Sequence, residues 1–327
     1  MPKKATEVLT SGRMPVRRRA LPRLALAAAL LAILPLGACA PLAAPTPLPD
    51  ADDSRPLVLT TFTVLADLVQ VIGGDDVRVV SLTKPGVEIH GYEPTPSDLV
   101  LAAEADLVVE NGLGLEAWFA RFTAELTAPT VTLSAGVEPI AIAVGQAEGH
   151  PNPHAWMSTE GASVYVDNAV TALSELVPAA SERFAARGAQ YKGELRQLGQ
   201  RLRTAVARIP QAQRILVTCE GAFSYLAREA GLRERYLWAV NQEAQGTPRQ
   251  MARLIDELRE GGPRAIFCES TVSGAAQRRV AEDTDLALGG VLYVDSLSAA
   301  DGPVPSHLRL LAHDVDVIIA GLTGGEQ

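Results

Sequence analysis

From Thr159 to Ile209 the chain carries no strand signal, whereas on both sides strand-like and helix-like runs alternate. The strand-free segment is rich in Ala, Leu, Glu, Arg and Gln, with apolar residues at helical spacing. Pro178 breaks or kinks it, and "YKGELRQLGQRLRTAVARI" beyond is strongly amphipathic. Ahead of it, "PLVLTTF" (Pro56 to Phe62) reads as a strand and the next run as a helix to Ile72, stopped by Gly73-Gly74. "VRVVSL" (Val77 to Leu82) is the next strand. In "EPTPSDLVLAAEADLVVENG" a helix opens with Thr95 as N-cap, Pro96 in its first turn and Asp98 three residues on. It leads into a strand at Leu107 to Val109. Thr247, Pro248 and Gln250 repeat that punctuation in "QGTPRQMARLIDELREGGPRAIFCES". Such alternation predicts parallel βαβ units. The expected fold is α/β, with two lobes, each a central parallel sheet flanked by helices, joined by a long helix. The lobes are expected over residues 57–159 and 211–327, with the helical bridge over 160–210. A rigid bridge permits a small tilt between lobes rather than a wide hinge closure.

The N-terminus follows other rules. Arg13, Arg17, Arg18, Arg19 and Arg23 precede an apolar run, Leu24 to Leu36, and then Gly37, Ala38 and Cys39. Basic, apolar, then small is the order of a secretion signal, and the run is short for a membrane span. "LGAC" resembles the lipobox of bacterial lipoproteins, which implies cleavage after residue 38 and a lipid on Cys39. Residues 1–38 then form the signal peptide. Residues 39–56, rich in Pro, Ala and Asp, form a disordered tether. Residues 1–38 hold seven Lys/Arg and one Glu, so their loss takes the net charge from -9 to -15. That acidity disfavours a nucleic-acid partner, and 5% aromatic residues leave little for stacking on bases or sugars. With Cys39 lipidated, Cys219 and Cys268 remain. Both end an apolar strand on Cys-Glu, in "ILVTCEG" and "AIFCEST". Side-by-side strands would bring the sulfurs within bonding reach, so a Cys219–Cys268 disulfide is expected in an exported chain.

Open α/β sheets bind ligands beyond the carboxyl ends of their strands. Four groups fall there. Glu220 follows the strand Ile215 to Thr218, Asp295 follows "GVLYV" (Gly290 to Val294), His90 lies in the loop after the second strand, and His154 lies in "GHPNPHAWMST" before the helical bridge. Two imidazoles and two carboxylates suit a divalent transition metal, and carboxylates binding through both oxygens suit manganese(II) or iron(II). No HExxH or paired CxxC is present to mark a local metal motif. His150, Glu269 and Asp301 are rival donors, while His307 and His313 read as surface residues of the last helix. A secreted metallohydrolase would need an open metal position and a general base, with Glu269 a conceivable base.

"HGYEPTPSD", "NPHAW", "CEGAF…GTP" and "ES…DTDLALGGVLYVDS" occur in that order, and together they resemble the metal-binding solute-binding lipoproteins of ABC importers for manganese, zinc or iron(II). The likeness runs from about Leu57 to Gly321. It implies a non-enzymatic, extracytoplasmic receptor with one metal in the cleft between lobes, held by His90, His154, Glu220 and Asp295. It also implies an ABC permease and its ATPase as partners, a membrane anchor through Cys39, and a monomer. Zinc members of that family carry histidine where Glu220 stands and a His-rich loop between the first two ligands. Residues 111–149 contain no histidine. Both departures point to manganese(II), with zinc(II) and iron(II) the alternatives.

Overall fold

A computed structural model describes residues 53–119, 127–241, 246–259 and 261–324. The expected signal peptide, most of the tether and Cys39 lie outside these residues. Among the described residues no helix is long and apolar enough to cross a membrane.

The first lobe is a four-stranded parallel sheet of order β2-β1-β3-β4. Its strands are β1 (Leu57–Thr60), β2 (Arg78–Ser81), β3 (Leu107–Glu110) and β4 (Thr130–Thr132). β1 is buried along its whole length, as expected of a strand covered on both faces. Helix α1 (Thr63–Gly73) ends at Gly74, whose φ of 56° lies in the region open to glycine. Helix α2 (Pro96–Glu104) starts as its sequence dictates. The Thr95 hydroxyl accepts from the Asp98 N–H, and the Asp98 carboxylate accepts from the Thr95 N–H.

Two helices fill the strand-free segment, α3 (Thr159–Leu176) and α4 (Ser181–Ala207), separated by a 3₁₀ turn that begins at Pro178. Twenty-seven residues make α4 about 40 Å long. The second lobe holds β5 (Ile215–Glu220), α5 (Ser224–Ala230), β6 (Arg233–Trp238), α6 (Pro248–Arg259), β7 (Ala265–Glu269), α7 (Ala275–Thr284), β8 (Ala287–Leu292) and α8 (His307–Thr323). Its strands form two parallel pairs, β5 with β6 and β7 with β8. Cys219 of β5 and Cys268 of β7 are disulfide-bonded with their Cα atoms 4.9 Å apart, the spacing of neighbouring strands. The last strand lies earlier than Gly290–Val294. It starts at Ala287 and passes through Gly289, where any Cβ would strike the Phe267 ring.

One apolar cluster runs from Val58 and Leu65 in the first lobe, through Tyr165 and Leu195 of the helical pair, to Tyr225, Phe267 and Ile318 of the second. The lobes therefore share a core.

Candidate metal centre

The expected donors stand in loops or at a strand end, held by hydrogen bonds and packing around them. In the loop after β2, the Glu88 carboxylate accepts the N–H groups of His90 and Gly91, and Trp118 Nε1 donates to the Ile89 carbonyl. His154 precedes a 3₁₀ turn (Ala155–Met157). There Asn111, at the end of β3, donates to the Pro153 carbonyl, and Trp156 Nε1 donates to the Val294 carbonyl beside Asp295. Glu220 is the last residue of β5. Gly221 must follow it, because a Cβ there would lie 2.9 Å from the Tyr236 ring and 3.1 Å from the Ala239 carbonyl oxygen.

The four side chains converge, and their donor atoms all lie within 4.8 Å of one another. His90 Nε2 is 3.1 Å from His154 Nε2, 3.3 Å from Glu220 Oε1 and 3.7 Å from Asp295 Oδ1. His154 Nε2 is 3.6 Å from Glu220 Oε1 and 3.8 Å from Asp295 Oδ1. A tetrahedral ion with bonds of about 2.1 Å sets its ligands about 3.4 Å apart, so these spacings fit a single cation. Burial is nearly complete, at 2% exposure for His90 and 0% for the other three. Among the described residues, Glu220 Oε2 and Asp295 Oδ1 are buried and accept no hydrogen bond. Orphaned carboxylate oxygens are costly in a native interior, and a cation between them would remove that cost.

Electrostatics also suit a cation. Burial pushes the His154 imidazole down to about 3, so its Nε2 lone pair is free at neutral pH. The tautomer is fixed by Asn152, whose Oδ1 faces His154 Nδ1 at 2.8 Å. Burial, with the Asp295 and Glu269 carboxylates nearby, holds Glu220 well above the usual carboxylate range. A cation arriving there exchanges for a proton. Burial also pushes Asp295 upward, but the imidazoles of His90 and His154 and the Asn241 amide outweigh it, and its carboxyl sits below its ordinary value.

Other candidates fall elsewhere. His150 is exposed. Asp301 sits exposed in a turn. Glu269 turns its carboxylate to the N–H groups of Cys219 and Glu220, at 3.2 Å each. His307 is not a surface residue. It is fully buried at the start of α8, between the Tyr191 hydroxyl and the Trp156 carbonyl. His313 is partly covered and faces the Val291 carbonyl. Two residues that support the site were given no role from the sequence, although Asn152 opens the "NPHAW" motif. Asn152 links His154 to the Gly221 carbonyl and the Ser224 hydroxyl, and Asn241 touches both carboxylates.

The family described as "ZnuA: Zinc-uptake complex component A periplasmic" matches residues 58–321. The chain belongs to that family. The ZnuA relatives include "Iron-binding protein YfeA" of Yersinia pestis, 45% identical over 265 residues, covering 81% of this chain and 85% of that protein. "Manganese ABC transporter substrate-binding lipoprotein PsaA" of Streptococcus pneumoniae is 29% identical over 273 residues, covering 81% of this chain and 88% of that protein. Among solved structures, the Mn-bound periplasmic metal binding protein from Candidatus Liberibacter asiaticus superposes with a TM-score of 0.77 at 34% identity. It covers 82% of this chain and 100% of that one. The periplasmic zinc binding protein TroA from Treponema pallidum gives 0.75 at 27% identity, covering 82% and 99%. The two-lobed α/β architecture is that of these proteins. The family comprises substrate-binding proteins of metal ABC importers, not enzymes, so the metallohydrolase reading is set aside.

Proposed function

We propose that this ZnuA-family receptor captures manganese(II) with His90, His154, Glu220 and Asp295 and delivers it to an ABC permease driven by its ATPase. The observation that carries the ligand set is the convergence of four buried donor atoms, one of them an Asp295 oxygen that accepts no hydrogen bond among the described residues. Manganese is favoured over zinc because two carboxylates offer more and harder oxygens than the histidine-rich set zinc prefers. Affinity alone does not enforce that choice, since zinc outranks manganese in the Irving–Williams order. Zinc therefore binds in vitro, and selectivity rests on geometry and release. Cys39 anchors the receptor by lipid to the membrane, facing the periplasm or cell exterior, as a monomer of two lobes (57–159 and 211–327) and a helical bridge (160–210). The 45% identity to an iron-binding protein supports iron(II) as the second reading.

Elemental analysis of protein from metal-replete cells, with a manganese–zinc competition on wild type and Glu220→His, tests this. The expected result is manganese in the native protein and a shift towards zinc in the variant. Wild type carrying zinc alone, with an unchanged variant, rejects the manganese assignment. Iron alone selects the second reading.

A further inference from the structure

Asn241, in the loop after β6, is buried at 8% exposure and lies between the two carboxylates. Its backbone N–H donates to Glu220 Oε1 at 2.9 Å, and its side-chain Nδ2 donates to Asp295 Oδ2 at 3.0 Å. Trp238 Nε1 donates to Asn241 Oδ1 at 2.9 Å. An indole N–H can only donate, so it fixes which end of the amide is oxygen and turns Nδ2 to Asp295 without ambiguity.

The two carboxylates are engaged unequally. Asp295 has Oδ2 held by the amide, while Oδ1 faces both imidazoles and accepts no hydrogen bond. Glu220 keeps Oε1 within 3.3 and 3.6 Å of the imidazoles while accepting one N–H, and its Oε2 accepts nothing. Swinging Asp295 to bind an ion through both oxygens would leave a buried amide donor without its acceptor. Glu220 differs: its Oε1 faces the imidazoles while it accepts the Asn241 N–H, so bringing its unpartnered Oε2 to the ion breaks no hydrogen bond.

We propose that Asn241 sets the coordination number, holding Asp295 to one oxygen while Glu220 binds through one or two. The inference rests on the metal-binding reading above. The protein then offers two imidazole nitrogens, one Asp295 oxygen and up to two Glu220 oxygens. Asn241 thus limits how far the site moves towards the higher, oxygen-rich coordination that separates manganese from zinc.

Asn241→Ala isolates the effect, because the backbone N–H to Glu220 survives any side-chain change. Asn241→Leu keeps the branched shape and removes the same donor. The readouts are the visible absorption of the protein loaded with cobalt(II) alone, which weakens as coordination number rises, and the affinities for manganese and zinc measured separately by competition with a chelator. In both variants the cobalt absorption drops, and the zinc-to-manganese affinity ratio moves towards manganese by roughly 10-fold. An unchanged cobalt spectrum with equal loss of both metals, in whichever variant is folded by its circular dichroism, overturns the proposal. Wild type that takes up no stoichiometric metal overturns the metal-binding reading instead.

Discussion

Asn152 serves a donor of one lobe and the backbone of the other. Its Oδ1 accepts from the His154 backbone N–H at 3.0 Å and faces the ring Nδ1, while its Nδ2 donates to the Gly221 carbonyl, next to Glu220. Asn152→Ala frees the imidazole to rotate and change tautomer. Metal affinity falls roughly 10- to 100-fold by competition titration. Asn152→Asp keeps the acceptor and recovers part of the loss. Such residues are hard to read from a sequence. Histidines and carboxylates announce metal chemistry by type, and strand ends locate them. An asparagine in a loop has neither periodicity nor chemical exclusivity, so the roles of Asn152, although it opens "NPHAW", and of Asn241 emerge only once the fold sets their partners. His307 misled for a related reason: the first turn of an amphipathic helix gives no sign of which face its leading residue takes.

The best-read elements were those with local rules. Thr95 with Asp98, and Thr247 with Gln250, form reciprocal N-terminal hydrogen bonds that a four-residue window specifies. The start of β8 is not legible in the sequence because the Gly289-Gly290 pair carries no strand propensity, and its place is decided by the Phe267 ring it packs against. The link between β5 and β7 is covalent, and Glu269 adds its carboxylate to the two N–H groups at the end of β5. The disulfide closes a loop of 49 residues, which in the chain-entropy view stabilises by about 4 kcal/mol. Cys219→Ser with Cys268→Ser therefore lowers the denaturation midpoint markedly. It also weakens metal binding, since Cys219 adjoins Glu220. Unchanged affinity in that variant reduces the bond to scaffold.

At the scale of the molecule, buried ionisable groups set the pH response of the metal-free protein. Burial raises Glu116 and Glu234 to about 7 and Glu269 to about 8, from 4.5. The folded chain thus keeps protons that the unfolded chain has lost. The stability these groups contribute is complete below pH 4.5 and is lost as pH rises through 7 to 8. Burial lowers His154 to about 3 and His307 to about 4, from 6.5. Their contribution is complete above 6.5 and is lost as pH falls through 4 to 3. The thermal midpoint without metal is therefore highest between about pH 4.5 and 6.5 and falls towards pH 8. A midpoint that rises steadily to pH 8 contradicts the burial account.

The shared apolar core and the near-total enclosure of the four donors also bear on kinetics. With three donors fully buried and His90 only 2% exposed, a bulky chelator is kept from joining the coordination sphere, so exchange by direct attack is disfavoured. Stripping must wait for the protein to part around its cargo. Its rate then becomes independent of chelator concentration once chelator is in excess, which stopped-flow mixing with rising EDTA measures. A rate that climbs in proportion to EDTA contradicts it. The plateau rate is the receptor's own unassisted residence clock, the baseline against which any acceleration by a membrane partner is to be read.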